Sequence, residues 1–302
     1  MGTKYGIGMP GLAYLNGRFL LAAELHISPL DAGFVWGATV TDRVRTYGHK
    51  PYLLAEHVAR FRRSCELCRI PQPMPDDEII RAAEHLVAEN TSSLPDTDEL
   101  VLILFATPGE DRRDGPRGSL AMHTMPLDVA AYRPLLERGA RLVTPAIRQA
   151  PVECLPRVAK MRSRMTWWLA EQQVRDVDPG AAALLLDLAG HVTETAAANF
   201  VIVRDDTVVS PPRSTILDGI SLGVVESLSH EIGLRFVEQE LDLAACHAAD
   251  EALLTSTPFG IAGVSAINGR PLPWPGPILG RLHDSWCARI GWEIWRPMLP
   301  DR

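Results

Sequence analysis

Residues 181–212 read AAALLLDLAGHVTETAAANFVIVRDDTVVSPP, and the fold turns on how this stretch is parsed. Its first part is an apolar run ended by Asp187 and the turn pair Ala189-Gly190, which predicts a buried strand. Its last part predicts a hairpin, with Phe200-Val201-Ile202-Val203 and Thr207-Val208-Val209 joined at Asp205-Asp206. Between them lies VTETAAAN, a short segment of small residues with one carboxylate, Glu194. Small side chains around a lone acid leave room for close approach by something that is not a side chain. The same pattern also fits a strand–turn–strand whose glutamate is solvated.

The chain has 302 residues, enough for two domains with separate cores. Hydrophobic residues make up 46% and charged residues 22%, the composition of a globular protein. A net charge of −7 argues against a nucleic-acid or membrane partner. No apolar run has the length of a membrane span, and the N-terminal MGTKYGIGMPG lacks the apolar core of a signal peptide. Five cysteines in so long a chain are no disulfide framework, and a reduced, cytoplasmic setting is expected. Of the 30 basic residues only three are lysine: Lys4, Lys50 and Lys160. Lys4 is near the terminus and Lys50 is in a turn, so Lys160 alone falls mid-chain beside apolar segments. Arginine cannot replace lysine where a deprotonated amine acts as nucleophile.

In chain order, residues 12–21 predict a hairpin at Asn16-Gly17, and residues 39–47 a strand with one face lining a cavity. On that strand Thr41, Arg43 and Arg45 alternate toward one side, where positive charge suits a substrate carboxylate. Residues 54–70 keep helical spacing, with His57 and Arg60 on a shared face and Arg60 beside the apolar stripe. Cys65-x-x-Cys68 has metal-ligand spacing but no second pair, so these are expected to be core cysteines and no metal is expected. A charged start at Asp76-Asp77-Glu78 opens another helix. A buried strand follows at 100–106, then a Gly/Arg-rich loop at 107–118 that is a candidate substrate lid. The expected organisation is a small N-terminal α/β domain at 1–126, a linker at 127–134, and a larger C-terminal domain at 135–302 that carries Lys160.

Gly219-Ile220-Ser221-Leu222-Gly223 matches the nucleophile-elbow pattern of serine hydrolases, but Pro211-Pro212 and a polar loop precede it where a buried strand is required. Gly219 to Ser221 instead open a helix whose free N–H groups suit a phosphate. Ser256-Thr257 offer a second phosphate contact in a turn, and a guanidinium at Arg60 supplies charge. A unique inner lysine, a carboxylate among small residues, a helix-start anion site, paired hydroxyls and an inward arginine together match the needs of pyridoxal 5′-phosphate. The lysine would form the Schiff base, and the carboxylate would keep the pyridine nitrogen protonated.

On these blocks the chain resembles the class IV pyridoxal-phosphate aminotransferases, the fold type IV group of branched-chain and D-amino-acid aminotransferases. The resemblance covers residues 14–280. It is carried by Leu54-x-x-His57-x-x-Arg60, the segment AKMRSRMTWWLAEQ around Lys160, and Asp187-x-x-Gly190-x-Val192-x-Glu194 with Asn199-Phe200. Leu217-x-Gly219-Ile220-Ser221, Ser256-Thr257 before Gly260, and Pro275-Gly276-Pro277 complete it. It implies a two-domain α/β (α+β) fold with a β-barrel-like core in the larger domain. It also implies Lys160 as the Schiff-base residue and proton shuttle, Glu194 on the pyridine nitrogen, and Leu217 packed on the ring. Arg60, Ile220, Ser221, Ser256 and Thr257 would bind the phosphate. The implied reaction moves an amino group from an amino acid to a 2-oxo acid, and the implied assembly is a homodimer. A D-amino-acid or (R)-amine transaminase shares every one of these cofactor residues and stands as the alternative. The chain departs from the branched-chain pattern at its third strand. Thr41 stands where an aromatic is expected, Asp42 where a glutamate is expected, and only Arg45 agrees. Met165 replaces the tyrosine that meets the cofactor's phenolic oxygen. These departures spare the cofactor residues and bear on the substrate.

Overall fold

A computed structural model describes residues 11–72, 74–92, 94–95, 97–110, 115 and 117–295. Its contacts divide the chain into two compact units: Met1–Leu127 with Ala159–Ser163, and Asp128–Val158 with Arg164–Arg302. Lys4 and residues 111–114 and 116 of the expected lid lie outside the described residues.

In the first unit, β1 (Leu12–Leu15) and β2 (Arg18–Leu21) form the predicted hairpin. Its turn residues Asn16 and Gly17 both have positive φ, 49° and 89°, as a two-residue turn between twisted strands requires. There follow α1 (Ala32–Val35), β3 (Val40–Tyr47), β4 (Lys50–Pro51), α2 (Leu54–Leu67), α3 (Asp76–Thr91), β5 (Leu100–Thr107) and β6 (Ser119–Pro126). The sheet order is β2-β1-β6-β5-β3-β4, with every neighbouring pair antiparallel. Residues from α2 and α3, including Val58, Phe61, Ile79 and Leu86, close a core with Val40, Val44, Leu102, Leu104 and Met122 of the sheet. Cys65 is buried in this core, and burial pushes its thiol up to about 12. Strand alternation puts Asp42 on the side of Val40 and Val44, and puts Thr41, Arg43 and Arg45 on the opposite side.

The second unit contains α4 (Arg133–Arg138), β7 (Ala140–Val143), α5 (Met165–Val177), β8 (Ala182–Leu186), β9 (Val192–Thr195), β10 (Asn199–Arg204) and β11 (Thr207–Ser210). It continues with α6 (Ile220–Glu231), β12 (Arg235–Glu238), α7 (Leu243–His247), β13 (Glu251–Ser256), β14 (Gly260–Ile267), β15 (Arg270–Pro271) and α8 (Pro277–Ile290). The path β10-β13-β14-β7-β8-β9 returns to β10 through a β9–β10 pairing, so six strands close a ring, the barrel-like core that the resemblance implies. The β7 pairings with β8 and β14 are parallel and the other ring pairings are antiparallel. Trp167, Ala170 and Val174 of α5 pack on Ala183 and Leu185 of β8.

The opening stretch thus becomes β8, β9, β10 and β11, and the glutamate segment is itself a fully buried strand. Its solvated alternative is excluded, because Glu194 is only 6% exposed. Two elements have no signal in the periodicity. The segment expected as a linker holds a 3₁₀ turn at Val129–Tyr132 and runs into α4. Strand β14 has glycine at its centre because a Cβ on Gly263 would come within 2.5 Å of Trp274.

Candidate active site

Lys160 is positioned by the first unit. The segment Ala159–Ser163 runs along the edge of β3: Thr41 N–H donates to the Lys160 carbonyl at 2.9 Å, and Arg162 N–H to Thr39 at 2.9 Å. Lys160 N–H in turn donates to Ser64 Oγ at 3.1 Å, and that hydroxyl donates to the Arg60 carbonyl at 2.8 Å. The sequence reading places Lys160 with the C-terminal domain, whereas its backbone is bonded to β3 and α2. The same helix carries a buried charge cluster. Arg60 donates from Nε to Asp42 Oδ2 at 2.9 Å and from its terminal nitrogen to Oδ1 at 2.7 Å. His57 Nδ1 is 2.7 Å from the same Oδ1. Asp42 is wholly buried. Burial raises its pKa, but the charge of Arg60, together with the hydrogen bonds from His57 and Arg60, outweighs burial and holds the carboxyl well below its usual range. Burial, with Arg60 and Lys160, lowers the pKa of His57 despite Asp42. A neutral imidazole facing a carboxylate presents Nδ1–H to it, because the carboxylate only accepts.

The second unit builds a carboxylate site at the start of β10. Asn199 is in register with Glu194 on one side and Thr255 on the other, so a single residue links β9, β10 and β13. Its amide donates to Glu194 Oε2 at 3.1 Å and to the Leu217 carbonyl at 2.9 Å. Leu217 N–H donates to the same Oε2 at 3.1 Å, and Arg157 lies 3.3 Å from Oε1. Arg157 is only 12% exposed and its Nε has no hydrogen-bond partner among the described residues. Gly219 precedes α6 as its N-cap, and a Cβ there would come within 2.0 Å of Asn199 Oδ1. Ile220 and Ser221 open a helix of 12 residues, so their N–H groups are free for an anion. Ser256 pairs with Gly260 across the β13–β14 turn that carries Thr257, and its Oγ donates to Ala197 at 2.5 Å.

The predicted residues therefore fall into two sets. Lys160, bonded to β3 and α2 through its backbone, and Arg60 of α2 belong to the first unit, while Glu194, Leu217, Gly219, Ile220, Ser221, Ser256 and Thr257 belong to the second. Thr41, Arg43 and Arg45 share a face of β3 in different settings. The Thr41 hydroxyl is bonded to Leu104 at 2.8 Å, Arg43 is exposed, and Arg45 is 1% exposed with its guanidinium 4.0 Å over the Tyr47 ring. A cavity of about 640 Å³, lined by Asn16, His26, Asp31, Glu78, Glu110 and Arg117, holds none of these residues. Sequence reasoning gave no role to Arg157, Asn199 or Ser64. Asn199 carried a signal, since it lies in the block that resembles the family, whereas nothing distinguishes Arg157 from the chain's other arginines.

Within the second unit the donor set fits the ring and phosphate of pyridoxal phosphate: a buried carboxylate ringed by donors, a helix start and a hydroxyl turn. It does not fit a serine hydrolase. Ser221 is the second residue of α6, and the nearest preceding strand, β11, ends at Ser210. Comparison with known proteins agrees. The family model for amino-transferase class IV matches residues 39–267. A provisionally named branched-chain-amino-acid aminotransferase of Methanocaldococcus jannaschii is 30% identical over 93% of this chain and 97% of its own. The branched-chain-amino-acid aminotransferase of Escherichia coli K12 is 23% identical over 90% of this chain and 91% of its own. Among solved structures, the branched-chain amino acid aminotransferase of T.th complexed with N-(5′-phosphopyridoxyl)-L-glutamate superposes with a TM-score of 0.84 at 26% identity, covering 95% of this chain and 96% of its own. The Thermoproteus uzoniensis branched-chain aminotransferase shares the fold, with a TM-score of 0.83 at 24% identity over 96% and 98% of the two chains. The chain belongs to the class IV aminotransferases, and it is accordingly a pyridoxal-phosphate-dependent transaminase.

Proposed function

We propose that the chain transfers an amino group between a branched-chain-like amino acid and a 2-oxo acid in two half-reactions, with Lys160 and Glu194 as its working residues. The bound cofactor supplies an aldehyde for the amine and a ring that draws electrons from the substrate carbon. Lys160 would hold that aldehyde and carry the proton at Nζ. Glu194 would pair with the ring nitrogen and keep it charged. Asn199 and the Leu217 N–H hold the Glu194 carboxylate in place, and Arg157 keeps the pocket electrically balanced. Ile220, Ser221, Ser256, Thr257 and Arg60 would hold the phosphate, and Leu217 would pack on the ring. The observation that carries this reading is the buried Glu194 carboxylate held by Asn199, the Leu217 N–H and Arg157. Purified protein should take up pyridoxal phosphate and show a visible band, and borohydride should fix the cofactor on Lys160. A colourless chain that retains no cofactor sinks the reading.

Arg45, Arg43 and Thr41 share a face of β3, which supports a role in receiving a substrate carboxylate. Arg45→Ala should raise KM for an amino-acid donor by roughly tenfold to a hundredfold, the loss of one charge-assisted hydrogen bond. Unchanged turnover removes that role. A panel of L-leucine, D-alanine and (R)-1-phenylethylamine, followed by loss of the visible band, separates the branched-chain assignment from its D-amino-acid and (R)-amine rivals. We further infer a homodimer, supported by exposed apolar side chains: Leu30, Phe34 and Trp36 are 71%, 75% and 82% exposed in the first unit, and Met165 and Trp168 are 68% and 61% exposed in the second. A cytoplasmic setting is supported by five free cysteines, and no helix among the described residues is long and apolar enough to cross a membrane.

A further inference from the structure

Helix α8 carries His283 and Cys287 four residues apart, so both project from one face. Gly291, at φ 64°, ends the helix in the left-handed conformation and turns the chain. Glu293 then returns over that face. Cys287 Sγ lies 3.4 Å from His283 Nε2 and 3.2 Å from Glu293 Oε1, and Nε2 lies 3.4 Å from Oε1. We propose that His283, Cys287 and Glu293 bind one divalent, borderline-soft cation of the Zn²⁺ type, at a site separate from the transamination residues.

Two lines of geometry carry the proposal. Zinc holds sulfur at about 2.3 Å, imidazole nitrogen at about 2.0 Å and carboxylate oxygen at about 2.0 Å, so a tetrahedral angle separates its ligand atoms by roughly 3.3–3.6 Å. The triangle has edges of about that length, which leaves the fourth vertex for water. Hydrogen bonding alone accounts for the triangle less well. With Glu293 ionised and the single imidazole N–H on Nδ1 toward Asp284, the thiol has one proton for three close edges, whereas a cation satisfies all three ligands at once. The surroundings are those of a prepared site. Ile294 N–H points at Sγ from 3.5 Å, and Asp284 Oδ1 is 3.4 Å from His283 Nδ1, the carboxylate–histidine arrangement that orients a ligating ring. The Trp295 ring stacks on His283 with centroids 3.6 Å apart, and its Nε1 donates to Ile261 of β14 at 3.2 Å. Ile294 is fully buried. A bound ion therefore ties the segment after α8 back onto the helix and the barrel. The ion binds the Cys287 thiolate, so metal binding releases the thiol proton to solvent. The sequence reading expected no metal, and this triangle has no signature in the chain because its third ligand becomes a neighbour only after the chain reverses at Gly291.

The test uses the cofactor-loaded enzyme in a Cys154→Ser background, which removes the exposed thiol, after dialysis against a chelator. Zn²⁺ is titrated in competition with a chromophoric chelator, and Co²⁺ is read by its visible d–d bands. The expected result is one equivalent per chain with Kd on the order of micromolar or tighter, proton release, and intense tetrahedral Co²⁺ bands. Cys287→Ser and Glu293→Gln should each weaken binding by at least about tenfold. Glu293 is 53% exposed, so its variant keeps the fold even where a helix substitution does not. Absence of Zn²⁺ uptake, or uptake equal in the parent and in Glu293→Gln, overturns the proposal.

Discussion

At the scale of single residues, the carboxylate site depends on a glycine. Gly219 leaves Asn199 the space to reach Glu194, and a methyl group there would meet Asn199 Oδ1 at 2.0 Å. Gly219→Ala must therefore push Asn199 aside, and with it one of the donors on Glu194. Overpacking of this kind costs about 1–3 kcal/mol. The expected outcome is a lower Tm together with weaker retention of pyridoxal phosphate, measured by dialysis and absorbance. A variant with normal cofactor affinity would show that Asn199 is not needed to hold the carboxylate. The residue scale is also where the sequence was least explicit. Glu194 and Lys160 stood out in the sequence because their residue types are rare in their settings, and Gly219 because it opens a helix. Arg157 was not, because its meaning comes from a carboxylate 37 positions away.

At the scale of elements, α2 and β3 are joined by charge as well as by apolar packing. Asp42 accepts from Arg60 and His57 in a site with no access to solvent. Asp42→Asn leaves the Arg60 guanidinium buried without its carboxylate, and breaking a buried pair costs about 3–5 kcal/mol. Urea denaturation at pH 7 should show that loss, and a change under about 1 kcal/mol would mean the cluster is solvated. The cluster also sets a pH response. Burial lowers the pKa of His57, and likewise of His123. Below the unfolded value of about 6.5 the unfolded chain takes up protons that the native state refuses, so stability is full above that pH and falls as pH drops beneath it. Asp42 adds a second loss below about pH 4, where unfolded carboxylates protonate and the native one resists. Urea midpoints should decline from pH 7 to pH 5, and less steeply in His57→Gln. A midpoint constant over that range contradicts the assignment of a neutral His57. Helix α2 itself was plain in the periodicity of residues 54–70, and so was the inward placement of Arg60. That its charge would be shared with Asp42 was not, because the pairing depends on which face of β3 the helix covers.

At the scale of the whole molecule, the exposed Leu30, Phe34 and Trp36 bear on assembly, since apolar side chains so open to water are costly unless something covers them. Trp36→Glu is expected to shift the protein toward monomer in light scattering and to make its activity depend on concentration. A parent protein that is monomeric at micromolar concentration would refute the proposed homodimer. The amino-acid order was enough to specify the local parts of this protein: the turns at Asn16-Gly17 and Asp205-Asp206, the helices of regular spacing, and the kinds of residue that a phosphate-bearing cofactor requires. Turn chemistry and amphipathic period act over a few residues, so they are written in the chain. Packing in three dimensions was needed for the closure of six strands through β9 and β10, the grouping of Lys160 with the first unit, and the meeting of His283, Cys287 and Glu293. Register and desolvation account for the difference: Lys160 finds Ser64 across 96 residues because a buried polar group must be paired, and only the packed chain determines which partner is within reach.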